Sequence, residues 1–238
     1  MTSFDAFQHD GCDGFGSVGY DARNGGKKVL LYVCGESAGG ESVWKLNALL
    51  EVLWTYDVGA TCHYVDVHTD GSVYIAHDLN GSGHIVTKLD QNGVFVWGHA
   101  PTGAVTAAYF VAAAADGTSR FSSFLQVYGL DADGSELWSQ SSLLSISQGQ
   151  AVPIKTDADG NTLVGAFRLT VSLESNTQRL AKISPTGVHL GFGGDSGYQL
   201  STGGTDLMVL YVCGESAGGE SVWKLNALLE VLWTYDVG

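Results

Sequence analysis

Residues 66–97 read DVHTDGSVYIAHDLNGSGHIVTKLDQNGVFVW, and this stretch decides the fold class. Apolar and polar residues alternate with a period of two around Val73, which is typical of β-strands. Asp70-Gly71 and Asn92-Gly93 interrupt the alternation. Such pairs favour tight hairpins, including type I′ turns with positive φ at both central residues. The pattern predicts antiparallel strands over residues 63–68, 72–77, 84–89 and 94–97.

The same pattern recurs along the chain. One aligned position holds Trp54, Trp97, Trp138, Gly191 and Trp233, at spacings of 43, 41, 53 and 42 residues. Five copies at this period are typical of a β-propeller with four antiparallel strands per blade. We expect an all-β, five-bladed β-propeller in residues 16–238, after an N-terminal extension over residues 1–15. The predicted blades are at about 16–59, 60–103, 104–145, 146–195 and 196–238.

A segment of 29 residues, LYVCGESAGGESVWKLNALLEVLWTYDVG, occurs unchanged at residues 31–59 and 210–238. The offset of 179 residues spans four repeats, so a four-bladed ring would place both copies at one site and expel or swap one of them. A five-bladed ring places the copies side by side, with inner strands of their own at residues 16–21 and 197–201. We therefore predict five blades. The duplication is consistent with a designed gene or with a recent natural event.

Within this segment, WKLNALLEVLW has an alternative interpretation as an amphipathic helix, because Trp44 and Trp54 fall near helical spacing. The diverged repeats hold Gly-containing turns in the same register, at residues 91–93, 132–134 and 185–187. Related repeats share a fold. We therefore predict an irregular turn at residues 48–50.

Composition and charge exclude several classes of function. The net charge of −14 argues against nucleic acid and anionic membrane surfaces as partners. No apolar run reaches the length of a membrane span, and residues 1–19 lack the basic and apolar regions of a signal peptide. We expect a monomer. The four cysteines, Cys12, Cys34, Cys62 and Cys213, have no zinc-ligand spacing, and we expect small buried thiols, with the redox compartment left open.

The repeat resembles the propeller repeats known as PQQ-like and SBBP repeats. The carrying motif is Lys-Leu-Asp, a turn glycine and then a tryptophan, with Asp90, Gly93 and Trp97 as one instance and residues 131, 134 and 138 as another. The resemblance implies that the tryptophans dock one blade onto the next. It also implies a weak association with non-catalytic scaffolds of cell surfaces or phage particles. The sequence departs from the motif at Leu50, Leu229 and Gly191.

Quinone-dependent dehydrogenases of the wider family are longer, and their cofactor ligands have no counterpart in this sequence. We expect no cofactor, no metal site and no enzymatic activity. The first hypothesis is a non-enzymatic scaffold or binding module for a protein or glycan partner. The alternative is a carbohydrate-binding, lectin-like propeller or a glycosidase-like enzyme that uses the central pocket.

The variable loops are the predicted binding face, because function normally lies on loops held by a rigid frame. The candidate ligand-binding residues are Glu36, Ser37, Glu41, Asp78, Asn80, Glu174, Asn176, Glu215 and Glu220. Trp44 and Trp223 join them, because their aromatic faces could stack on a sugar or a protein. Ordinary solvated loops and ordinary blade packing are the alternatives.

Three further patterns are weaker. The histidines His63, His68, His77, His84 and His99 cluster in the second repeat without HxH or HExxH spacing. Two Asp-Ala-Asp-Gly runs, at residues 131–134 and 157–160, resemble calcium loops but are explained by hairpins. Asp21 and Asp66 lie on predicted innermost strands, where a glycosidase needs two convergent carboxylates, and Asp66 is expected to pair with Lys155.

Overall fold

The structure is a computed structural model, and it describes most of the chain between residues 18 and 236. The described residues are 18–21, 28–37, 40–101, 105–123, 126–141, 154–165, 180–193, 205–206, 209–216, 219–226 and 231–236. Among them the regular elements are all β-strands. No helix long and apolar enough to span a membrane occurs in this part of the chain.

Twenty strands are formed by the described residues, and they group into five antiparallel sheets of four strands. Sheet 1 contains β1 (Val18–Asp21), β2 (Lys28–Ser37), β3 (Gly40–Leu46) and β4 (Val52–Asp57). Sheet 2 contains β5 (Cys62–Val67), β6 (Val73–His77), β7 (Val86–Leu89) and β8 (Phe95–His99). Sheet 3 contains β9 (Phe110–Ala113), β10 (Ser119–Ser123), β11 (Gln126–Leu130) and β12 (Glu136–Ser141).

Sheet 4 contains β13 (Ile154–Thr156), β14 (Thr162–Gly165), β15 (Leu180–Ile183) and β16 (His189–Gly193). Sheet 5 contains β17 (Thr205–Asp206), β18 (Val209–Ser216), β19 (Gly219–Asn226) and β20 (Val231–Asp236). The strands of each sheet follow chain order, as in a propeller blade. The predicted all-β class and strand pattern are confirmed, with bounds that differ by one or two residues in sheet 2. The first strand of sheet 5 is β17, at Thr205–Asp206 and not at the predicted residues 197–201, which lie outside the described residues.

The hairpins are confirmed at the predicted glycines, but the type I′ interpretation is wrong. In the first hairpin of sheet 2 the Gly71 N–H donates to the His68 carbonyl at 2.9 Å, and the His68 N–H donates to the Ser72 carbonyl at 2.9 Å. Only the glycine has positive φ, at 92°, because Asp70 keeps a negative φ. This is a three-residue loop in which a type I turn is followed by a left-handed glycine.

The turn at residues 48–50 has the same hydrogen bonds, so the helix alternative for this segment is wrong. The Leu50 N–H donates to the Asn47 carbonyl at 2.9 Å, and Asn47 Oδ1 accepts from the N–H groups of Leu49 and Glu51. Leu50 takes the glycine's place with φ of 62°, which is costly for a residue with a Cβ. Its side chain is 57% exposed.

Neighbouring sheets pack through apolar cores. One cluster joins sheets 1 and 2 around Val43 and Val65, a second joins sheets 2 and 3 around Ala76 and Phe121, and a third lies between sheets 3 and 4. Interleaved side chains of this kind hold propeller blades face to face. The described contacts thus connect sheets 1 to 4 in chain order.

Among the side chains that the structure describes, Trp54, Trp97 and Trp138 each dock one sheet on the next, as the family resemblance implies. The indole N–H of Trp97 donates to the Ala132 carbonyl at 2.9 Å, and that of Trp138 donates to the Pro185 carbonyl at 2.8 Å. Each ring lies against the turn glycine of the following sheet. A Cβ added to Gly134 would stand 2.7 Å from the Trp97 ring, and one added to Gly187 would stand 2.6 Å from Trp138. Glycine is therefore required at this turn for close packing as well as for positive φ.

A cation lies beside each docked tryptophan, but the strand that supplies it changes. Lys88 of β7 lies 5.1 Å from the Tyr74 ring centroid and 5.9 Å from that of Trp97. In sheet 3 the position of Tyr74 is held by Arg120, whose guanidinium carbon lies 5.4 Å from the Trp138 ring centroid. The position of Lys88 is there held by Gly129, because the Trp138 ring fills that space. Both sheets therefore place a cation against the docked tryptophan. In sheet 2 the cation comes from the third strand, and in sheet 3 it comes from the second strand.

Two cysteines are joined, and the expectation of free thiols is wrong for this pair. Cys34 on β2 and Cys62 at the start of β5 form a disulfide with a Cα–Cα distance of 5.9 Å. Both residues are buried. The bond links sheet 1 to sheet 2, although the two cysteines are 28 residues apart in the sequence.

Candidate functional site

A loop between β6 and β7, residues 78–83, is fixed to the chain on both sides of sheet 2; we call it the Asp78 loop. The Asp78 N–H donates to the Thr61 carbonyl at 2.9 Å, in the connection that precedes the sheet. The Leu79 N–H donates to the Thr106 carbonyl at 2.7 Å, in the connection that follows it. Two connections and one loop therefore lie together on one face, as predicted for the variable loops.

The amide of Asn80 organises the interior of the Asp78 loop. Its Oδ1 accepts from the Ser82 and His84 N–H groups at 3.0 and 3.1 Å, and its Nδ2 donates to the Val58 carbonyl at 3.3 Å. Two further backbone hydrogen bonds close the loop on itself: the Asn80 N–H donates to the His84 carbonyl at 3.0 Å, and the Gly83 N–H donates to the Asn80 carbonyl at 2.9 Å. A loop with this many bonds is ordered before any partner arrives, which lowers the entropy cost of binding.

Asp78, His63 and Tyr109 form a polar and aromatic cluster beside this loop. The Asp78 carboxylate lies 2.8 Å from His63 Nε2, and 46% of the Asp78 side chain is exposed. The His63 ring lies 4.8 Å from the Tyr109 ring, measured between centroids. Burial and the nearby Asp78 charge raise the pKa of the Tyr109 phenol, so it stays a neutral hydrogen-bonding group. Leu79, 49% exposed, projects from the same loop.

Three predicted binding residues are brought together here. Asp78 and Asn80 belong to the loop, and Glu41 joins them through Val58, whose N–H donates to the Glu41 carbonyl at 2.9 Å. The Glu41 carboxylate lies 3.5 Å from the Cys62 nitrogen. The binding role of these residues stays a prediction.

The remaining predicted residues have no described contact with the Asp78 loop, although Glu36 lies opposite Glu41 in the sheet. Glu36 pairs with Glu41 and Ser37 with Gly40 across the β2–β3 hairpin, and Glu215 pairs with Glu220 across the β18–β19 hairpin. Trp44 lies half-buried on β3, and Trp223 occupies the same position on β19. Glu174 and Asn176 lie outside the described residues.

The histidines of sheet 2 have separate environments. His77 is fully buried; its Nδ1–H donates to the Asp78 carbonyl at 2.7 Å, and its Nε2 accepts from the Thr87 hydroxyl at 2.9 Å. Burial lowers the pKa of His77 to about 4, so the ring is neutral at pH 7. Within the residues described by the structure, no three His, Cys, Asp or Glu side chains form a group that could hold a metal ion.

Asp66 and Asp131, two of the carboxylates considered for catalysis or calcium, have structural partners. Asp66 Oδ2 accepts from the Ala113 N–H at 2.8 Å, and its other oxygen lies 3.6 Å from Lys155 Nζ, which confirms the expected pair. Burial opposes the charge of Lys155, but Asp66 raises its pKa above the usual range. Asp131 Oδ1 accepts from the Asp133 and Ser135 N–H groups, so it stabilises the hairpin itself.

Leu79 and Tyr109 are the site residues that sequence reasoning missed. An apolar residue inside the polar run DLNGSG is a signal that could have identified Leu79. Tyr109 carries no such signal, because its place beside His63 depends on how sheet 3 packs on sheet 2.

Solved structures similar to this chain are β-propeller proteins. A catalytically inactive virginiamycin B lyase from Staphylococcus aureus, solved with quinupristin, matches with a TM-score of 0.64 at 11% identity, over 94% of this chain and 75% of that chain. BamB from Moraxella catarrhalis matches with a TM-score of 0.51 at 20% identity, over 87% and 61%. BBS1N in complex with ARL6DN matches with a TM-score of 0.59 at 13% identity, over 87% and 64%.

These likenesses establish a propeller-like fold and nothing finer, because identity this low does not carry function between proteins. The chain spans less than two thirds of the BamB and BBS1N chains. No protein-family model matches the sequence, and no curated protein matches it.

Proposed function

We propose that this protein is a non-enzymatic, five-bladed propeller that binds a protein partner through the Asp78 loop and its neighbours. In this proposal the five sheets are the blades of one ring, and the 29-residue copies are adjacent. The loop face carries recognition, and the sheets act as the rigid frame.

One observation carries the proposal: a loop with little freedom to move presents an exposed apolar side chain, Leu79, beside an exposed carboxylate, Asp78. Apolar anchors with a polar rim are the usual anatomy of protein interfaces. The aromatic pair of His63 and Tyr109 extends this surface. With a net charge of −14, the chain fits a partner whose apolar pocket is bordered by lysine or arginine.

The propeller likenesses support a protein partner in general terms. BBS1N is a propeller seen in complex with ARL6DN, which illustrates the use of this fold in protein complexes. The carboxylate of Asp66 is already bound to Ala113 and Lys155, which weighs against a glycosidase acid at the centre.

Site-specific photo-crosslinking tests the proposal. A photoreactive phenylalanine analogue at position 79 should capture a discrete protein from an extract of the source cells. The same analogue at Leu137, 53% exposed on the outer strand β12, is the matched control and should not. Excess wild-type protein, added as a competitor, should abolish the crosslink. Excess Asp78→Lys/Leu79→Lys protein should not compete and should leave the crosslink yield unchanged.

Identical crosslinks from both positions would refute a role for the loop. Binding to a glycan array that is lost on Trp44→Ala and Trp223→Ala substitution would instead support the carbohydrate-binding alternative. The two outcomes depend on different residues and therefore separate the two functions.

A further inference from the structure

We propose that a small monovalent anion, of the size of chloride, binds between sheets 3 and 4, on the guanidinium of Arg120 and the hydroxyl of Thr162. Both side chains are fully buried, and both carry polar atoms that have no hydrogen-bond partner among the residues described by the structure. The site involves only sheets 3 and 4 and lies apart from the Asp78 loop. It therefore stands or falls independently of the proposed function.

The guanidinium of Arg120 is satisfied on one side only. Its Nη1 donates to the Ser119 carbonyl at 2.8 Å and to the Thr118 hydroxyl at 3.0 Å. Its Nε and Nη2 are buried and have no partner within the described part of the chain. A buried donor without an acceptor is costly and therefore rare in folded proteins. Two such donors on one cation indicate an acceptor that the described chain does not supply.

The two unpartnered groups form one edge of the guanidinium. In arginine the Nε–H bond and one N–H bond of Nη2 point in parallel, and this fork binds anions through two hydrogen bonds. The hydrogen bonds to Thr118 and Ser119 occupy the other side of the group. One complete anion-binding edge of Arg120 is thus left for a ligand.

The positive charge of Arg120 also has no direct counter-ion among the described ion pairs. Asp116 acts only through Thr118, whose hydroxyl donates to Asp116 Oδ1 at 2.6 Å and accepts from Arg120 Nη1. Burial lowers the pKa of Arg120 and the charge of Asp116 opposes that shift, but an arginine keeps its proton in proteins. A bound anion would supply the negative charge that a buried cation requires.

Arg120 faces sheet 4. It pairs with Ala112, a member of the apolar cluster between sheets 3 and 4, and paired residues share one face of a sheet. Its guanidinium carbon lies 5.4 Å from the ring centroid of Trp138, and the indole N–H of Trp138 donates to the Pro185 carbonyl of sheet 4. The cation therefore lies in the interface between the two sheets.

Thr162 faces Arg120's sheet from the other side. It pairs with Thr156, whose hydroxyl donates to the Ala113 carbonyl of sheet 3 at 2.7 Å. Because paired residues share a face, the Thr162 side chain also points towards sheet 3. Its buried Oγ1 has no partner among the described residues, so a second polar group with an unmet hydrogen bond enters the same interface.

The two groups also lie at the same level of the interface. In sheet 2 the position of Arg120 is held by Tyr74, whose hydroxyl donates to the carbonyl of Gly117, in the first hairpin of sheet 3, at 3.1 Å. Gly160 closes the corresponding hairpin of sheet 4, and Thr162 follows it by two residues. A side chain at the position of Arg120 is therefore directed at the hairpin that leads into Thr162.

Burial and charge define the class of ligand. Because both side chains are fully buried, an anion held between them is enclosed by the two sheets, which excludes large organic anions. One guanidinium charge is neutralised by one monovalent anion. The Nε–Nη2 edge and the Thr162 hydroxyl provide three donors, which suits chloride, bromide or nitrate.

Urea unfolding at constant ionic strength, with chloride exchanged stepwise for gluconate, tests the proposal. If one anion binds the folded chain only, a tenfold rise in chloride above its Kd should raise the folded-to-unfolded ratio about tenfold. Arg120→Tyr is the matched control, because Tyr32 and Tyr74 occupy the same strand position in sheets 1 and 2. In this variant the ratio should not depend on chloride.

Thr162→Val removes one donor and leaves the shape of the side chain unchanged. The chloride dependence should persist in this variant but require about tenfold more chloride, because a hydrogen bond to a charged group is lost. Crystals soaked in bromide give a direct measurement. An anomalous peak should lie within hydrogen-bond distance of Arg120 Nε and Thr162 Oγ1.

The same chloride dependence in the wild type and in Arg120→Tyr would overturn the proposal. Bromide bound as an adventitious ion only, on the exposed surface, or a water molecule between Arg120 and Thr162 would overturn it as well. If Arg120→Tyr does not fold, Thr162→Val decides the question. An unchanged chloride dependence in that variant would then reject the site.

Discussion

Replacing Gly134 by alanine should destabilise the protein by two separable effects. The residue has φ of 85°, a conformation that costs a residue with a Cβ about 1–2 kcal/mol. The new Cβ would also stand 2.7 Å from two Trp97 ring carbons, and overpacking of this kind costs about 1–3 kcal/mol. The expected loss of roughly 2–5 kcal/mol is large beside a typical unfolding free energy of about 5–15 kcal/mol.

Gly117 is the matched control. It has the same φ of 85°, and a Cβ added there would meet no atom within 4 Å. Gly117→Ala should therefore cost only the conformational part, about 1–2 kcal/mol. Urea unfolding followed by far-ultraviolet circular dichroism measures both, as a shift of midpoint at constant slope.

A double variant isolates the contact between the sheets. In a Trp97→Ala background the ring is gone, so Gly134→Ala should cost no more than Gly117→Ala does in the wild type. Equal losses for Gly134→Ala and Gly117→Ala in the wild-type background would refute the idea that the tryptophan occupies the space above the turn.

Three other changes have defined outcomes. His77 has a pKa of about 4 when folded and about 6.5 when unfolded, so unfolding takes up a proton between these values. The free energy of unfolding should fall by about 3 kcal/mol as pH drops from about 6.5 to 4. Urea unfolding midpoints measured across this range report the loss, and the loss should be smaller in the His77→Gln variant. Leu50→Gly should raise the unfolding midpoint by relieving positive φ, with a gain of about 0.5–1 kcal/mol, whereas Leu49→Gly beside it should lower the midpoint. Removal of the Cys34–Cys62 disulfide by the Cys34→Ser/Cys62→Ser substitution should cost about 3–4 kcal/mol in thermal or urea unfolding for a separation of 28 residues, and an unchanged midpoint would contradict this.

Local features of the fold were predictable because they depend on neighbours along the chain. Glycines at the turns and alternation along the strands are short-range signals, so the hairpin at Gly71 and the turn at Leu50 were located correctly. The turn type was not, because an Asp-Gly pair fits both a two-residue and a three-residue loop, and strand register selects between them.

Features that join different sheets were mostly out of reach. The disulfide between Cys34 and Cys62 requires two sheets to be in register, which no pattern within either repeat specifies. The tryptophan docking was expected only through the family resemblance. The pairing of Asp66 with Lys155 was the exception, because equivalent positions on inner strands could be aligned between repeats.

In the candidate site, too, the sequence predicted what depends on chain neighbours and missed what depends on packing between sheets. Asp78 and Asn80 were proposed because they lie in a variable loop, and the structure adds that this loop is bonded to both neighbouring connections. The exposure of Leu79 and the ring contact of His63 with Tyr109 arise from packing across sheets 2 and 3. These could not be read from one repeat.

The docking of each tryptophan on the following sheet gives the chain a direction. For Trp54, Trp97 and Trp138 the acceptor turn is encoded downstream, so each of these three sheets must wait for the next repeat before its indole is covered. Trp54 remains uncovered until residues near Gly93 have been made. A translation pause just after one of these tryptophan codons would lengthen the time for which the apolar indole of the nascent chain is exposed. A pause after the codon of the acceptor glycine would not.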